Sequence, residues 1–269
     1  MQKTTSKPVF PTATVSEYRL RLFQATRRPK LINQLIVTPW GKVRVQGRLG
    51  QAHADVFEAI CYEREVKAEL EDGRIKLLVD PFKVRKRAGC ASGSAFQKIK
   101  VELQTAYIEI FEPIEKACEG HLVDHIEKAC RKDGSIITRK NPLTSSERHL
   151  WRVELGKAFC KLIECDIWVG YDPSILTAFE HGISQAIVRH VLTHRTMPSG
   201  GWRLDGLIQA VAGELSAHSN RHRRREIRAE AAVFKKAGIV IDGDRVFKNF
   251  GSVQQTPGSV QQTPGLADT

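Results

Sequence analysis

One succession of local signals occurs twice in this chain, and it restricts the fold more than any other feature. The first occurrence opens at Asp80, which caps a short helix expected over 81–88; Pro81 suits its first turn because the donor that proline lacks would be unpaired there anyway. Gly89 stops that helix, and Gly89-Cys90-Ala91-Ser92-Gly93 forms a tight turn. Ser92 or Ser94 then caps a second helix with the apolar stripe Phe96, Ile99 and Leu103. Extended runs follow at 106–111 and 121–129, and Lys132-Asp133-Gly134-Ser135 turns the chain into SIITRK, an Asp-Gly hairpin signal. The second occurrence opens at Arg203, where Leu204, Leu207, Ile208 and Val211 mark one face of a helix reaching about Ala212. The segment HSNRHRRREIRAEAAVFKKAG continues as a helix with Ser219 or Asn220 as its cap, the core stripe Ile227, Ala231 and Phe234, and Gly238 as its stop. GIVIDGDRVFK closes the run as a hairpin with Asp242-Gly243 at its turn.

Two helices with a Gly-bearing turn between them are a helix-turn-helix signature, and the following hairpin adds a wing. The expected fold class is α+β: two tandem winged helix-turn-helix domains with a flexible N-terminal arm and a disordered C-terminal tail. Ahead of the first unit, YRLRLF reads as a strand, LINQLIVT and KVRVQGRL as a hairpin around Pro39-Trp40-Gly41, residues 53–63 as a helix with Val56, Phe57, Ile60 and Cys61 inward, and residues 75–79 as a strand. NPLTSSER at 141–148 is polar and makes a boundary. A helix-like stretch, a strand around IWVGY and a long helix through HGISQAIVRHVLTH lie beyond it, ended by Pro198-Ser199-Gly200-Gly201. The last stretch repeats GSVQQTP at 251–257 and 258–264, a composition that cannot build a core. The expected divisions are therefore a flexible arm over 1–16, a first winged-helix domain with an N-terminal hairpin over 17–142, a second over 143–249, and a disordered repeat tail over 250–269.

Charge indicates what such a scaffold would hold. Among 269 residues, 42 Lys and Arg oppose 30 Asp and Glu, a formal net charge of +12, so a polyanion is the first partner to consider. In the first unit the leading helix carries Lys83, Arg85, Lys86 and Arg87, suited to phosphate; the second helix offers Ser94, Gln97 and Lys98, which hydrogen-bond to base edges. Arg131 and Lys132, with Lys128, Arg139 and Lys140, place cations on the wing. In the second unit Arg221, Arg223, Arg224, Arg225 and Arg228 crowd one helix and repel one another unless an anion lies alongside. Arg221, His222, Arg225 and Arg228 lie away from Ile227 and Phe234 and are the candidates for base contact, with Arg224 and Arg245 completing the DNA-binding set.

Other chemistries find less support. The six cysteines include no CxxC pair and read as reduced thiols. Cys118, His121, His125 and Cys130 have zinc-type ligands, but Gly120 interrupts a stretch that reads as a strand, so buried thiols and edge histidines are expected. His190 and His194 share a helix face with no Glu between them and no third ligand. A nicking enzyme would need a His-apolar-His metal motif and a nucleophilic Tyr, and a nucleotide hydrolase would need GxxxxGK[ST]; neither motif is present. The expectation is a non-enzyme with no cofactor and no metal, cytoplasmic, with no membrane partner, because no apolar run is long enough to span a bilayer and the opening residues lack the apolar core of a secretion signal.

The order and spacing of WGKVRVQGRLGQAHADVFEAI, of IEIFEP followed by GHLVDHIE, of HGISQAIVRHVLTHR with GGWRLDGLI, and of AGIVIDGDRVF resemble the plasmid replication initiators of the TrfA or RepA type over residues 17 to 249. The resemblance implies a plasmid replication initiator with two winged-helix domains that binds direct repeats of double-stranded DNA at its own origin and opens a nearby AT-rich stretch whose single strands are a second ligand. It implies recruitment of a host initiator, a replicative helicase and the sliding clamp, repression of its own promoter, and a homodimer as one state open to the free protein. Members engage the clamp through a Gln-Leu-x-Leu-Phe peptide; Leu20, Leu22 and Phe23 match it while Arg19 replaces the Gln, and packing of a strand is the competing role for these side chains. A winged-helix transcriptional regulator without replication activity is the alternative, since both need only DNA binding.

Overall fold

The computed structural model describes residues 12–70, 72–111, 118–140 and 145–249, with the side chain of Cys165 excepted. In chain order they form β1 (Ala13–Thr14), α1 (Val15–Arg19), β2 (Ile32–Thr38), β3 (Gly41–Gly47), α2 (Gln51–Tyr62), β4 (Arg64–Glu69), β5 (Ile75–Val79), α3 (Pro81–Arg87), α4 (Gly93–Thr105), β6 (Tyr107–Ile110), β7 (Cys118–His121), β8 (Val123–Lys128), β9 (Thr138–Lys140), β10 (Glu147–His149) and β11 (Trp151–Leu155). The chain continues through α5 (Lys157–Cys165), β12 (Trp168–Val169), a 3-10 turn (Pro173–Leu176), α6 (Gly182–Leu192), β13 (Trp202–Arg203), α7 (Leu204–Ala212), α8 (Ala217–Ala229), α9 (Ala231–Lys236), β14 (Ile239–Asp242) and β15 (Arg245–Lys248). The architecture is mixed α+β.

The sheets show the same strand arrangement twice. In β4-β5-β11-β8 the late strand β11 lies between β5 and β8; in β13-β15-β14 the late strand β15 lies between β13 and β14. Each arrangement belongs to the same element order: α2, β5, α3, α4, β8 and β11 in one half, and α6, β13, α7, α8, β14 and β15 in the other. Alternation explains how the first of these sheets covers a core, because β5 and β11 bury every second residue (Ile75, Leu77 and Val79; Trp151, Val153 and Leu155). The third sheet, β2-β3-β6-β7, is additional to this plan, with β2 and β3 ahead of α2 and β6 and β7 between α4 and β8. One buried cluster runs through both halves, with Phe57 against Phe159 at 4.6 Å and Phe179 against Phe234 at 4.9 Å between ring centres.

Four expectations need correcting. Residues 12–16 are not a mobile arm: they are buried, and β1 pairs with β12 (Ala13 opposite Val169, Thr14 opposite Trp168). YRLRLF begins as helix α1, because the Thr14 hydroxyl accepts from the Glu17 amide at 3.3 Å while the Glu17 carboxylate accepts from the Thr14 amide at 3.0 Å, a reciprocal cap that outweighs the alternating pattern. The division at 142/143 falls between β9 and β10, which pair with each other, and β11 beyond it is a central strand of the first sheet. The wing also differs from a simple hairpin. β8 pairs with β11 rather than with SIITRK, although a Cys130–Ile136 bridge closes the Asp133-Gly134 turn locally. Residues 1–11 of the expected arm, the first four residues of NPLTSSER and the repeat tail lie outside the described residues. Among the described residues no helix is long and apolar enough to cross a membrane.

Candidate nucleic-acid interface

Each half builds its third helix in the same way. In the turn between α3 and α4, Gly89 takes a φ of +63°, and in that between α7 and α8, Gly213 takes +78°, a region where a side chain would be strained. A serine then caps each following helix: the Ser92 hydroxyl accepts from the Ala95 amide at 3.4 Å, and the Ser216 hydroxyl accepts from the Ser219 amide at 3.2 Å. The observed cap of α8 is thus Ser216 rather than Ser219 or Asn220. Apolar residues seat both helices, with Phe96, Ile99 and Leu103 of α4 and Ile227 of α8 buried. The expected single helix beyond His218 breaks at Glu230, whose buried carboxylate accepts from the amides of Glu180 at 2.5 Å and His181 at 3.3 Å at the start of α6.

On α8 the five arginines divide into two groups. Arg224 donates through Nε to Asp205 at 2.6 Å, pairs with it a second time through Nη2, and lies 3.5 Å from Asp244 in the β14–β15 turn. Arg228 donates to Asp244 at 2.6 Å, and Arg223 to Glu226 at 2.9 Å. The hydrogen bond from Arg224, with one from Asn220, holds the Asp205 carboxyl below its ordinary range. Arg224 and Arg228 brace α8 against α7 and the hairpin, and the Arg223 pair lies within α8 itself. Arg221 and Arg225 have no carboxylate partner among the described residues; Arg225 meets only the His222 ring, at 3.1 Å, while His222 lies 3.2 Å from Glu226. Arg221, Arg224, Arg225 and Arg228 line one open, shallow depression with Ala229. Three carboxylates, Asp205, Glu226 and Asp244, answer five guanidinium groups, so the patch stays positive.

In the first half the cations are spread over α3, α4 and the segment after β8 rather than gathered on one helix. Ser94, Gln97 and Lys98 are exposed along α4; Ser94 meets the Ser92 hydroxyl at 2.8 Å, and Lys98 has no carboxylate partner among the described residues. On α3, Lys86 is exposed, Arg85 is half-buried without a carboxylate partner among the described residues, and Lys83 stands 3.6 Å from Glu65. Arg87 departs from its expected role on phosphate. Its Nη1 donates to both oxygens of Asp172 at 2.7 Å, its Nε donates to Glu63 at 2.7 Å, and its Cζ stacks 4.4 Å from the Tyr62 ring centre. It therefore ties α3 and the end of α2 to the 3-10 turn. On the segment expected as a wing, Lys132 is exposed and Arg131 donates to the Ser135 hydroxyl at 3.2 Å, whereas Arg139 pairs with Glu65 at 2.6 Å. Arg245 donates to the Gly201 carbonyl at 3.4 Å.

Two further sets of residues are placed away from these surfaces. Leu20, Leu22 and Phe23 are all buried in the common core, so in this conformation they pack the fold and present no peptide to a clamp. Cys118 is buried, and the His121 Nδ1 lies 2.9 Å from the Ala106 carbonyl, while His125 faces outward near Glu127. Among the described residues no three His, Cys, Asp or Glu side chains gather to hold a metal. His190 and His194 face each other with Nε2 atoms 3.3 Å apart; burial, first of all, pushes them down to about 3 and about 4, so both are neutral near neutral pH.

Sequence reading missed Arg189. It lies fully buried on α6 among Ile187, Val188 and Val191, and its partners are Gln51, Asp55 and Glu58 of α2. The available signal was a cation in the middle of an apolar helix, together with two acids three residues apart in a helix whose neighbours are buried. Comparison with family models, with curated proteins and with solved structures finds no match to this chain.

Proposed function

We propose that this chain grips duplex DNA through two winged helix-turn-helix units in tandem and acts at a plasmid origin as a replication initiator. In this reading α3 and α4 form one helix-turn-helix and α7 and α8 the other, with β8–β11 and β14–β15 as the wings. The observation that carries it is the pair Arg221 and Arg225, exposed one turn apart on α8 without carboxylate partners among the described residues, on an element order that occurs twice. Like charges at i and i+4 of a helix repel each other, and a phosphate backbone alongside would offset that cost. Arg221 and Arg225 supply groups that can chelate the acceptor edge of guanine; Ser94, Gln97 and Lys98 supply hydrogen-bonding groups for a second stretch of groove. Arg85 and Lys86 on α3, just ahead of α4, and Lys132 in the turn after β8 suit phosphate.

Initiation rather than regulation rests on the resemblance over residues 17 to 249, and with it come direct repeats, an AT-rich stretch to be opened and host replication proteins as partners. The test places the gene and its flanking DNA on a circle that cannot otherwise replicate. Maintenance of the circle, lost when Arg221 and Arg225 are both alanine, is the expected result. A circle that is not maintained while the protein still represses a promoter makes the chain a transcriptional regulator.

A further inference from the structure

α2 and α6 hold corresponding places in the two halves: each opens its run, with α3 and α4 packed on α2, and α7 and α8 packed on α6. They also pack on each other, and the centre of that contact is ionic rather than apolar. Arg189 Nε donates to Glu58 at 2.8 Å, Nη2 donates to Glu58 at 3.0 Å and to Asp55 at 2.6 Å, and Nη1 donates to Gln51 at 2.7 Å. The acceptors stand at positions 51, 55 and 58, one stripe of α2. One turn earlier on α6, Gln185 donates to Asp55 at 3.3 Å and to the Leu176 carbonyl at 2.9 Å. The hydroxyls of Tyr18 and Tyr171 both donate to the same Glu58 oxygen that accepts from Arg189 Nε. Arg189, Asp55 and Glu58 are all buried.

Such a joint adds little net stability, because desolvating the charges offsets their attraction. Its effect is on geometry. An apolar contact tolerates sliding, whereas a guanidinium fork satisfied by three side chains of one helix has a single arrangement, and any slip leaves a buried charge unanswered. We infer that Arg189 is a positioning residue that locks the two helix-turn-helix units at one separation and angle, so that the protein reads the spacing between the two halves of its DNA site as well as their sequence. The inference rests on the DNA-binding reading above, and its test includes a measurement that does not.

The probe is a duplex chosen by the wild-type full chain from a randomised pool, compared with the same duplex carrying an insertion between its halves. An insertion of about five base pairs, roughly half a helical turn, is expected to weaken wild-type binding on the order of a hundredfold and the Arg189→Met variant less than about threefold. Simple destabilisation would lower binding to both duplexes alike and leave their ratio unchanged. Arg189→Lys keeps the charge but loses the fork, and it carries the same test if Arg189→Met does not fold. Hydrogen exchange of the free protein reads the joint without DNA: in the wild type α2 and α6 should open together, and in the variants α6 should open alone. A ratio that stays at the wild-type value in a folded variant overturns the inference. If the wild type selects no duplex, the DNA-binding reading fails, and exchange decides the joint alone: independent opening of α6 upholds it, and unchanged joint opening refutes it.

Discussion

The third helices of the two halves start alike and then diverge. Both α4 and α8 follow a positive-φ glycine and begin at a serine cap, and both run to 13 residues. Yet α8 carries five arginines, three of them held by the protein's own carboxylates, whereas α4 shows Ser94, Gln97 and Lys98 to solvent and is tied to α2 by Glu102, which meets His53 at 2.9 Å. The same backbone plan therefore supports two kinds of surface: one dominated by charge, stiffened by Asp205 and Asp244, and one dominated by hydrogen-bonding groups. Phosphate contacts supply affinity and base contacts supply discrimination, so the two halves are expected to contribute unequally to each.

Replacement of both Arg221 and Arg225 by alanine should produce the largest change. Affinity for a selected duplex is expected to fall by about 2 kcal/mol or more, and the salt slope by roughly 2, as read from titrations at several salt concentrations. The pair Gln97→Ala and Lys98→Ala sharpens the contrast. Gln97→Ala should change base preference at one position by about 1–3 kcal/mol, while Lys98→Ala should weaken all sequences alike, as measured by competition among duplexes. If Gln97→Ala instead reduces the salt slope as the arginine pair does, the division of labour between α4 and α8 is wrong.

Acid should also weaken the fold around α6. The unfolded histidine takes up its proton near pH 6.5, while His190 and His194, held to about 3 and about 4, stay neutral in the folded protein. The unfolded state thus binds more protons between these limits, and the stability present above pH 6.5 is lost as pH falls toward 4. The slope is up to about 1.4 kcal/mol per pH unit for His190, and less for the half-buried His194. Denaturation at pH 7 and pH 5 checks this, and His190→Gln should flatten the difference. The smallest effect is that of Asp244→Ala, which frees Arg228 and one contact of Arg224; stability should move by less than about 1 kcal/mol and the salt slope should rise.

Local signals carried much of the fold. The strand expected at 75–79 is β5, Pro81 and Asp80 start α3 as read, and the stripe Phe96, Ile99 and Leu103 is the buried face of α4. These features depend on neighbours within a few residues. What sequence reading missed depends on distant ones. Arg87 looked like a phosphate contact because Asp172, 85 residues away, leaves no mark near it. Arg189 finds its partners 131 to 138 residues away, and periodicity cannot say whether a polar residue on a helix faces water or a buried acid. The strand misread at YRLRLF has the opposite cause, since the Thr14–Glu17 cap lies in the sequence but ahead of the segment taken as a strand. The candidate site was legible as a region, and its division into bracing and free arginines was not.

The central claim is that the positive surface around Arg221 and Arg225 meets a polyanionic duplex. It is tested most directly by titrating the full chain with a randomised duplex at a series of salt concentrations. Binding whose logarithm falls linearly with that of salt, with a slope steeper than about −4, is the expected result for a grip that neutralises several phosphates. Absence of binding at low salt, or affinity indifferent to salt, would contradict it.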